Sequence, residues 1–238
     1  MFRFTTFANF VFLVVAVSWC SLASAQSSDK AGEAAEKVMA KQEVIFDGSS
    51  LDNFRGYKKD EIGAGWKIDD GALMFDGSGG GDIMTKKMYE NFELTFHWKV
   101  DSGSNSGIMY RVTTGDNAPY LSGPEFQILD DSKHRDGKNE LTSVGSLYAL
   151  YVPEGKTVKP VGEWNTGKII QKGNSVEHWL NGKKVVSAEI GSDDWKERVA
   201  NSKFKDWKKF GVSPKGHICF QDHGDKVWYR DIKIKTLE

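Results

Sequence analysis

The chain has 238 residues, with 32 basic and 33 acidic side chains and a formal net charge of −1, so it offers no basic surplus for a nucleic-acid backbone. Two cysteines are too few for a disulfide-stapled scaffold, and stability has to come from a packed core. No apolar run approaches the roughly 20 residues that a spanning helix needs.

Residues 1–25 read as an export signal. Arg3 supplies the positive start, Phe10 to Trp19 the apolar stretch, and Ala23-Ser24-Ala25 a small-residue cleavage site. Cleavage is expected after Ala25, leaving Gln26 as the N-terminus and a periplasmic or extracellular location. A lipoprotein signal ending at Cys20 is the alternative, and the bulky Trp19 before that cysteine opposes it. Loss of the segment removes Arg3 and Cys20, taking the formal charge from −1 to −2 and leaving Cys219 alone, with no partner for an intrachain disulfide. Residues 26–42 are polar, with scattered Ala and Glu, and read as a linker. One domain is expected over 43–238, beginning at Glu43-Val44-Ile45-Phe46.

Period-2 alternation is the main signal from there on. Phe92, Leu94, Phe96, Trp98 and Val100 share one strand face, while Glu93, Thr95, His97 and Lys99 share the other. Further strands are predicted over Gly107–Val112, Glu125–Leu129, Lys168–Lys172, Ser175–Leu180, Lys184–Ile190, His217–Gln221 and Val227–Lys235. Asn181-Gly182 favours a type I′ turn and predicts a hairpin. In the strand before it, His178 and Trp179 alternate, with Trp179 the candidate for the core. One helix is predicted near 193–210. Ser192 is a good N-cap, Asp193 and Asp194 suit the first turn, and Trp195, Val199, Phe204, Trp207 and Phe210 recur at roughly helical spacing. Many short strands with Gly, Asn and Asp turns argue for an all-β antiparallel sandwich or jelly roll.

The central strands carry unusual polarity. In Glu125-Phe126-Gln127-Ile128-Leu129-Asp130, Phe126 and Ile128 can face a core while Glu125 and Gln127 share the opposite face, about 6.6 Å apart. In Asn105-Ser106-Gly107-Ile108-Met109-Tyr110-Arg111, regular alternation turns Ile108 and Tyr110 inward and Gly107, Met109 and Arg111 outward. If these strands are neighbours, Arg111 meets Glu125 or Gln127 on a polar surface suited to sugar hydroxyls. The plain alternative is a surface ion pair worth ~0–1 kcal/mol. His97 and His134 read as solvated histidines. Asp222 and His223 read either as an acid–base pair or as an Asx-type turn. The run Asp130–Gly137 lacks the ordered spacing of a calcium loop, and no zinc, phosphate or nucleotide fingerprint is present, so no metal or cofactor is expected.

Taken together, Phe46-Asp47-Gly48-Ser49-Ser50-Leu51, Asn105-Ser106-Gly107-Ile108 with Arg111, Glu125-Phe126-Gln127-Ile128-Leu129-Asp130, Gly162-Glu163-Trp164-Asn165, His178-Trp179-Leu180-Asn181-Gly182, Gln221-Asp222-His223-Gly224 and Tyr229-Arg230-Asp231-Ile232-Lys233-Ile234 resemble, in that order, the 3-keto-disaccharide hydrolase domain family. The resemblance covers roughly 43–236. It implies a concanavalin A-like sandwich of two curved sheets with a concave binding face. It also implies cleavage of 3-keto-glucosides by 1,2-elimination to a 3-keto-2-hydroxy-glucal, then hydration, downstream of a separate sugar 3-dehydrogenase. Chemistry then assigns the roles: Glu125 as base, Arg111 and Gln127 near the developing oxyanion, His223 oriented by Asp222 as acid, and Asn105 and Asp130 on substrate hydroxyls. A conventional two-carboxylate glycosidase, a non-catalytic sugar-binding module and a structural envelope protein are the alternatives.

Overall fold

The computed structural model describes residues 42–238. The expected export signal with its expected cleavage site, Cys20 and all of the expected linker except Gln42 lie outside the described residues. Gln42 already belongs to the first strand.

The strands are β1 (Gln42–Phe46), β2 (Phe54–Gly56), β3 (Trp66–Asp69), β4 (Ala72–Phe75), β5 (Ile83–Thr85), β6 (Phe92–Val100), β7 (Asn105–Val112), β8 (Glu125–Leu129), β9 (Asn165–Lys172), β10 (Ser175–Leu180), β11 (Lys183–Glu189), β12 (His217–Phe220) and β13 (Val227–Thr236). The helix α1 spans Asp193–Ala200. Two antiparallel sheets result. The eight-stranded sheet runs β11-β10-β9-β6-β13-β4-β3, with β1 also pairing to β13, and the five-stranded sheet runs β2-β5-β12-β7-β8. The protein is thus the two-sheet sandwich that the turn-rich alternating sequence predicts.

The core lies between the sheets. In β6 every odd member, from Phe92 to Val100, is buried and every even one half-exposed, as its alternation predicts. Phe96 meets Phe126 of β8 edge-on across the sandwich, with ring centroids 5.5 Å apart. Burying one such ring contributes about 1.5–3 kcal/mol. Asn181 and Gly182 both take positive φ, 47° and 82°, as a type I′ turn requires, and join β10 to β11. Asp70 and Gly71 do the same between β3 and β4, in a hairpin with an Asp-Gly signal that the predicted strands passed over.

Two packing expectations are corrected. His178 rather than Trp179 enters the core. Its Nε2 lies 3.1 Å from the Tyr110 hydroxyl and its Nδ1 3.3 Å from the Gly145 carbonyl, and burial pulls its pKa down to about 4, keeping the ring neutral. Trp179 faces outward, donates to Glu177 Oε2 and lies under the Lys168 ammonium. The helix is also shorter than its aromatic spacing suggested. Ser192 caps it by accepting from the Trp195 amide, but it stops at Ala200. Ser202 then folds onto the local backbone, bonding Val199 O and the Phe204 amide, a side-chain competition that ends helices. Phe204, Trp207 and Phe210 therefore cluster from turns rather than from one helical face.

Every residue of β7 and β8 is buried, so the face of the five-stranded sheet turned away from the core is also covered. The site lies on that face.

Candidate active site

Strands β7 and β8 pair with Asn105 opposite Leu129, Gly107 opposite Gln127 and Met109 opposite Glu125. This register puts Asn105, Glu125 and Gln127 on one surface. Together with Tyr120, Tyr148, Lys203, Trp207, Gln221 and His223 they line a pocket of about 350 Å³. A larger depression nearby, about 540 Å³, shares Tyr148 and Lys203, but none of its lining residues is a buried polar one.

Glu125 is the most perturbed acid of the pocket. It is 8 % exposed, and its carboxyl oxygens make no hydrogen bond among the described residues. Burial pushes its pKa up to about 8, the positive charge of Lys203 opposes the rise, and the carboxylates of Asp82 and Asp136 add to it. A carboxyl that is itself buried and unpaired stays protonated until a strong reason to ionise appears. Lys203 is held 4.2 Å above the ring of Tyr148, and burial lowers its own pKa. Gln127 is fixed by donating to Thr142 O. Asn105 is buried and its Oδ1 has no partner, an acceptor left free for a ligand. Tyr120 and Trp207 form a tilted aromatic pair 5.5 Å apart at the pocket wall, with Tyr120 well exposed.

Three sequence-predicted residues stand elsewhere. Arg111 does not meet Glu125. The pairing of β7 with β12 slips between His217–Val112 and Cys219–Met109, and in this bulge Arg111 takes a φ of 59°. The side chain consequently leaves the pocket face. It is buried, bonding Gln171 Oε1, Gly211 O and Gly173 O. The cation beside Glu125 is instead Lys203. Asp222 does not orient His223. Its Oδ1 accepts from the Gly224 amide and its Oδ2 from the Gly81 amide, the Asx-type turn. Asp225 takes that place, 3.6 Å from His223 Nδ1, while also accepting from the Asn105 amide. Asp130 caps its own loop, accepting from the Gly103 and Ser132 amides and the Ser132 hydroxyl, and lines a separate 260 Å³ depression. Glu125, Gln127, Asn105 and His223 are brought together as expected.

The sequence reading missed Tyr120, Tyr148, Lys203, Trp207, Gln221 and Asp225 as site residues. Gln221 alone carried a local signal, since it precedes Asp222-His223 at the end of β12.

His134, His223 and Asp225 also converge, with one potential ligand atom from each within 4.8 Å of the others. The His134 Nδ1, however, accepts from the Asp136 amide, which puts the proton of the neutral ring on Nε2. A metal ligand needs a free lone pair on that nitrogen, so the trio as arranged does not present three ready ligands; the two imidazoles instead meet edge to face, with ring centroids 5.6 Å apart. His97 is half-exposed beside Asp231, a surface pair on the other sheet.

Amide, carboxyl and ammonium groups walled by aromatic rings match sugar hydroxyls and sugar C–H faces, and they set this sandwich among carbohydrate-active proteins. The comparisons agree and go further. Residues 41–235 match the family model of the 3-keto-alpha-glucoside-1,2-lyase-like domain, and the chain belongs to that family. It is 36% identical over 226 residues to a 3-keto-disaccharide hydrolase of Bacteroides thetaiotaomicron, covering 82% of this chain and 78% of that one. A crystal structure from Parabacteroides distasonis, provisionally described as a glycosyl hydrolase, superposes with a TM-score of 0.77 at 38% identity, over 83% of this chain and 94% of the other. A carbohydrate-binding module from Bacillus subtilis superposes with a TM-score of 0.50 at 12% identity, over 77% and 96%, a likeness of fold alone.

Proposed function

We propose that the protein cleaves the glycosidic bond of 3-keto-glucosides by 1,2-elimination and then hydrates the product. The carrying observation is Glu125, the one carboxylate lining the pocket among the described residues, buried and unpaired beside an ammonium. A ketone at C3 acidifies the C2 proton. Glu125 takes that proton, and the electron pair moves toward the C3 oxygen, where Lys203 stabilises the developing charge. Collapse of the enolate forms the C1–C2 double bond and breaks the bond from C1 to the leaving oxygen, which receives a proton from His223. Water then adds across the double bond, hydroxyl at C1 and proton at C2, giving the 3-keto sugar. A base whose pKa lies near 8 is better matched to a weak carbon acid than an ordinary carboxylate.

A conventional glycosidase requires two carboxylates, about 5–5.5 Å apart for retention or 6.5–9.5 Å for inversion. Here the same-face neighbour of Glu125 is the amide of Gln127, which favours elimination. Because the substrate is already a ketone, a separate sugar 3-dehydrogenase has to act first. Export through the N-terminal segment, and action in the periplasm or outside the cell, belong to the same proposal. An intact mass starting at Gln26 without lipid supports export of this kind, and a lipid-modified Cys20 refutes it.

The test is cleavage of a 3-keto-glucoside in deuterated water beside its unoxidised parent. Elimination predicts deuterium at C2 of the early product, above the exchange seen when product is incubated alone, and slower turnover of a C2-deuterated substrate. Full retention of the C2 hydrogen with no isotope effect refutes elimination.

A further inference from the structure

Gly107 stands in the middle of β7, where glycine costs roughly 0.5–1 kcal/mol relative to alanine. Its backbone does not call for glycine, since its φ lies outside the positive region that fifteen other glycines occupy. The reason is spatial. A Cβ placed on Gly107 would fall far inside the van der Waals contact distance of Glu125 Oε1, and would lie 2.7 Å from Cδ and 2.9 Å from Cγ, and these are its three nearest atoms. All three belong to Glu125. The contrast with neighbouring glycines is informative: Gly167 makes room for the Phe96 ring, and Gly216 for the backbone of the Arg111 bulge. Those two vacancies serve packing, whereas that at Gly107 serves one carboxyl group.

The register explains the arrangement. Glu125 pairs with Met109, and Gly107 lies two residues along on the same face, opposite Gln127. The Glu125 side chain leans diagonally across β7 and rests its carboxyl on bare main chain. The Gly107 carbonyl is meanwhile tied to the Gln221 amide of the next segment, so the seat is braced from both sides. A carboxyl laid on a strand loses water on that side.

We propose that Gly107 is a positioning residue for proton transfer: its missing side chain is the seat that holds the Glu125 carboxyl in working position. The inference rests on the reading of Glu125 as the proton-transferring group. A methyl group at 107 displaces the far end of a flexible side chain rather than backbone, so Gly107→Ala is tolerated by the fold and not by the chemistry. The displaced carboxyl moves toward water.

Gly107→Ala, Glu125→Gln, Glu125→Gly and the Gly107→Ala/Glu125→Gly double variant test this together. For Gly107→Ala the expected result is kcat lower by roughly 100-fold or more, the usual worth of a general base, with KM changed only a few-fold. The pH limb of its residual activity moves down toward the ordinary carboxylate range. In urea, alanine at 107 raises the unfolding midpoint when residue 125 is Gly, and fails to do so when it is Glu. If Gly107→Ala does not fold but the double variant does, the clash with Glu125 is established all the same. Wild-type kcat and an unmoved pH limb in Gly107→Ala, with Glu125→Gln inactive, overturn the proposal while sparing Glu125 as base. An active Glu125→Gln overturns both, and failure of both alanine variants to fold overturns the seat.

Discussion

Replacing Glu125 by Gln keeps the size of the side chain and removes its ability to ionise. Burial raises the pKa of this carboxyl from 4.5 to about 8 in the folded protein. The sign of the linkage follows. Below pH 4.5 the group is protonated in both states and costs nothing. Between 4.5 and about 8 the unfolded chain releases the proton while the folded one keeps it, so stability falls as pH rises through that window, and the loss is complete above it. At about 1.36 kcal/mol per pH unit the full loss is roughly 5 kcal/mol. The pocket opens to water, which lowers the figure, and about 2–4 kcal/mol is expected. Glu125→Gln avoids this penalty. Urea unfolding at pH 5, 7 and 9 should show the variant level with the wild type at the acid end and progressively more stable toward pH 9. Its turnover should fall by roughly 10²–10⁴-fold, the range for loss of general acid–base catalysis. In the wild type, kcat/KM should climb with pH and level off near 8, because the base must be ionised to act. A stability gap that grows toward low pH would falsify the assignment of a desolvated carboxyl. A rate that falls through pH 8 would make Glu125 an acid in the step that limits turnover.

Arg111 is buried with three hydrogen bonds and no pocket contact, so Arg111→Lys should lower stability by about 2–4 kcal/mol, while the folded fraction retains its kcat; a selective loss of kcat would return Arg111 to the site. Phe96→Ala should cost about 3–5 kcal/mol in chemical denaturation, and Thr95→Ala, on the half-exposed face of the same strand, under ~1 kcal/mol; equal losses contradict the register of β6. Tyr120→Ala removes the exposed member of the aromatic pair and should raise KM for a keto-disaccharide about tenfold, the equivalent of about 1.4 kcal/mol, with kcat little changed. An unchanged KM means that no sugar ring rests there.

What the sequence disclosed, and what it hid, divides along a physical line. A residue inside a regular strand inherits its direction from parity, so the core face of β6 and the shared face of Glu125 and Gln127 were readable from spacing alone. Parity fails where a strand gains a residue. Nothing in Met109-Tyr110-Arg111-Val112 marks a bulge, because the positive φ of Arg111 is imposed by its partners. Gly216 presses directly against the Arg111 main chain, and acceptors from the end of β9 and the turn after it (Gln171 and Gly173) and from Gly211 hold the guanidinium. Loops break the inference in a second way. Tyr148 and Lys203 reach Glu125 from segments far along the chain, and their meeting depends on where a helix stops and a turn begins. His223 shows how fine the distinction is. Carboxylates lie on both sides of it in sequence, and Asp222, the adjacent one, is already committed to the Gly224 and Gly81 amides, which leaves only Asp225 to face the imidazole. The base of the proposed reaction thus stands on the part of the fold that parity determines, whereas the groups that stabilise charge and deliver the second proton stand on parts determined by tertiary contact. Substitutions that move loops should therefore alter substrate preference and the acid step before they alter the proton abstraction at C2.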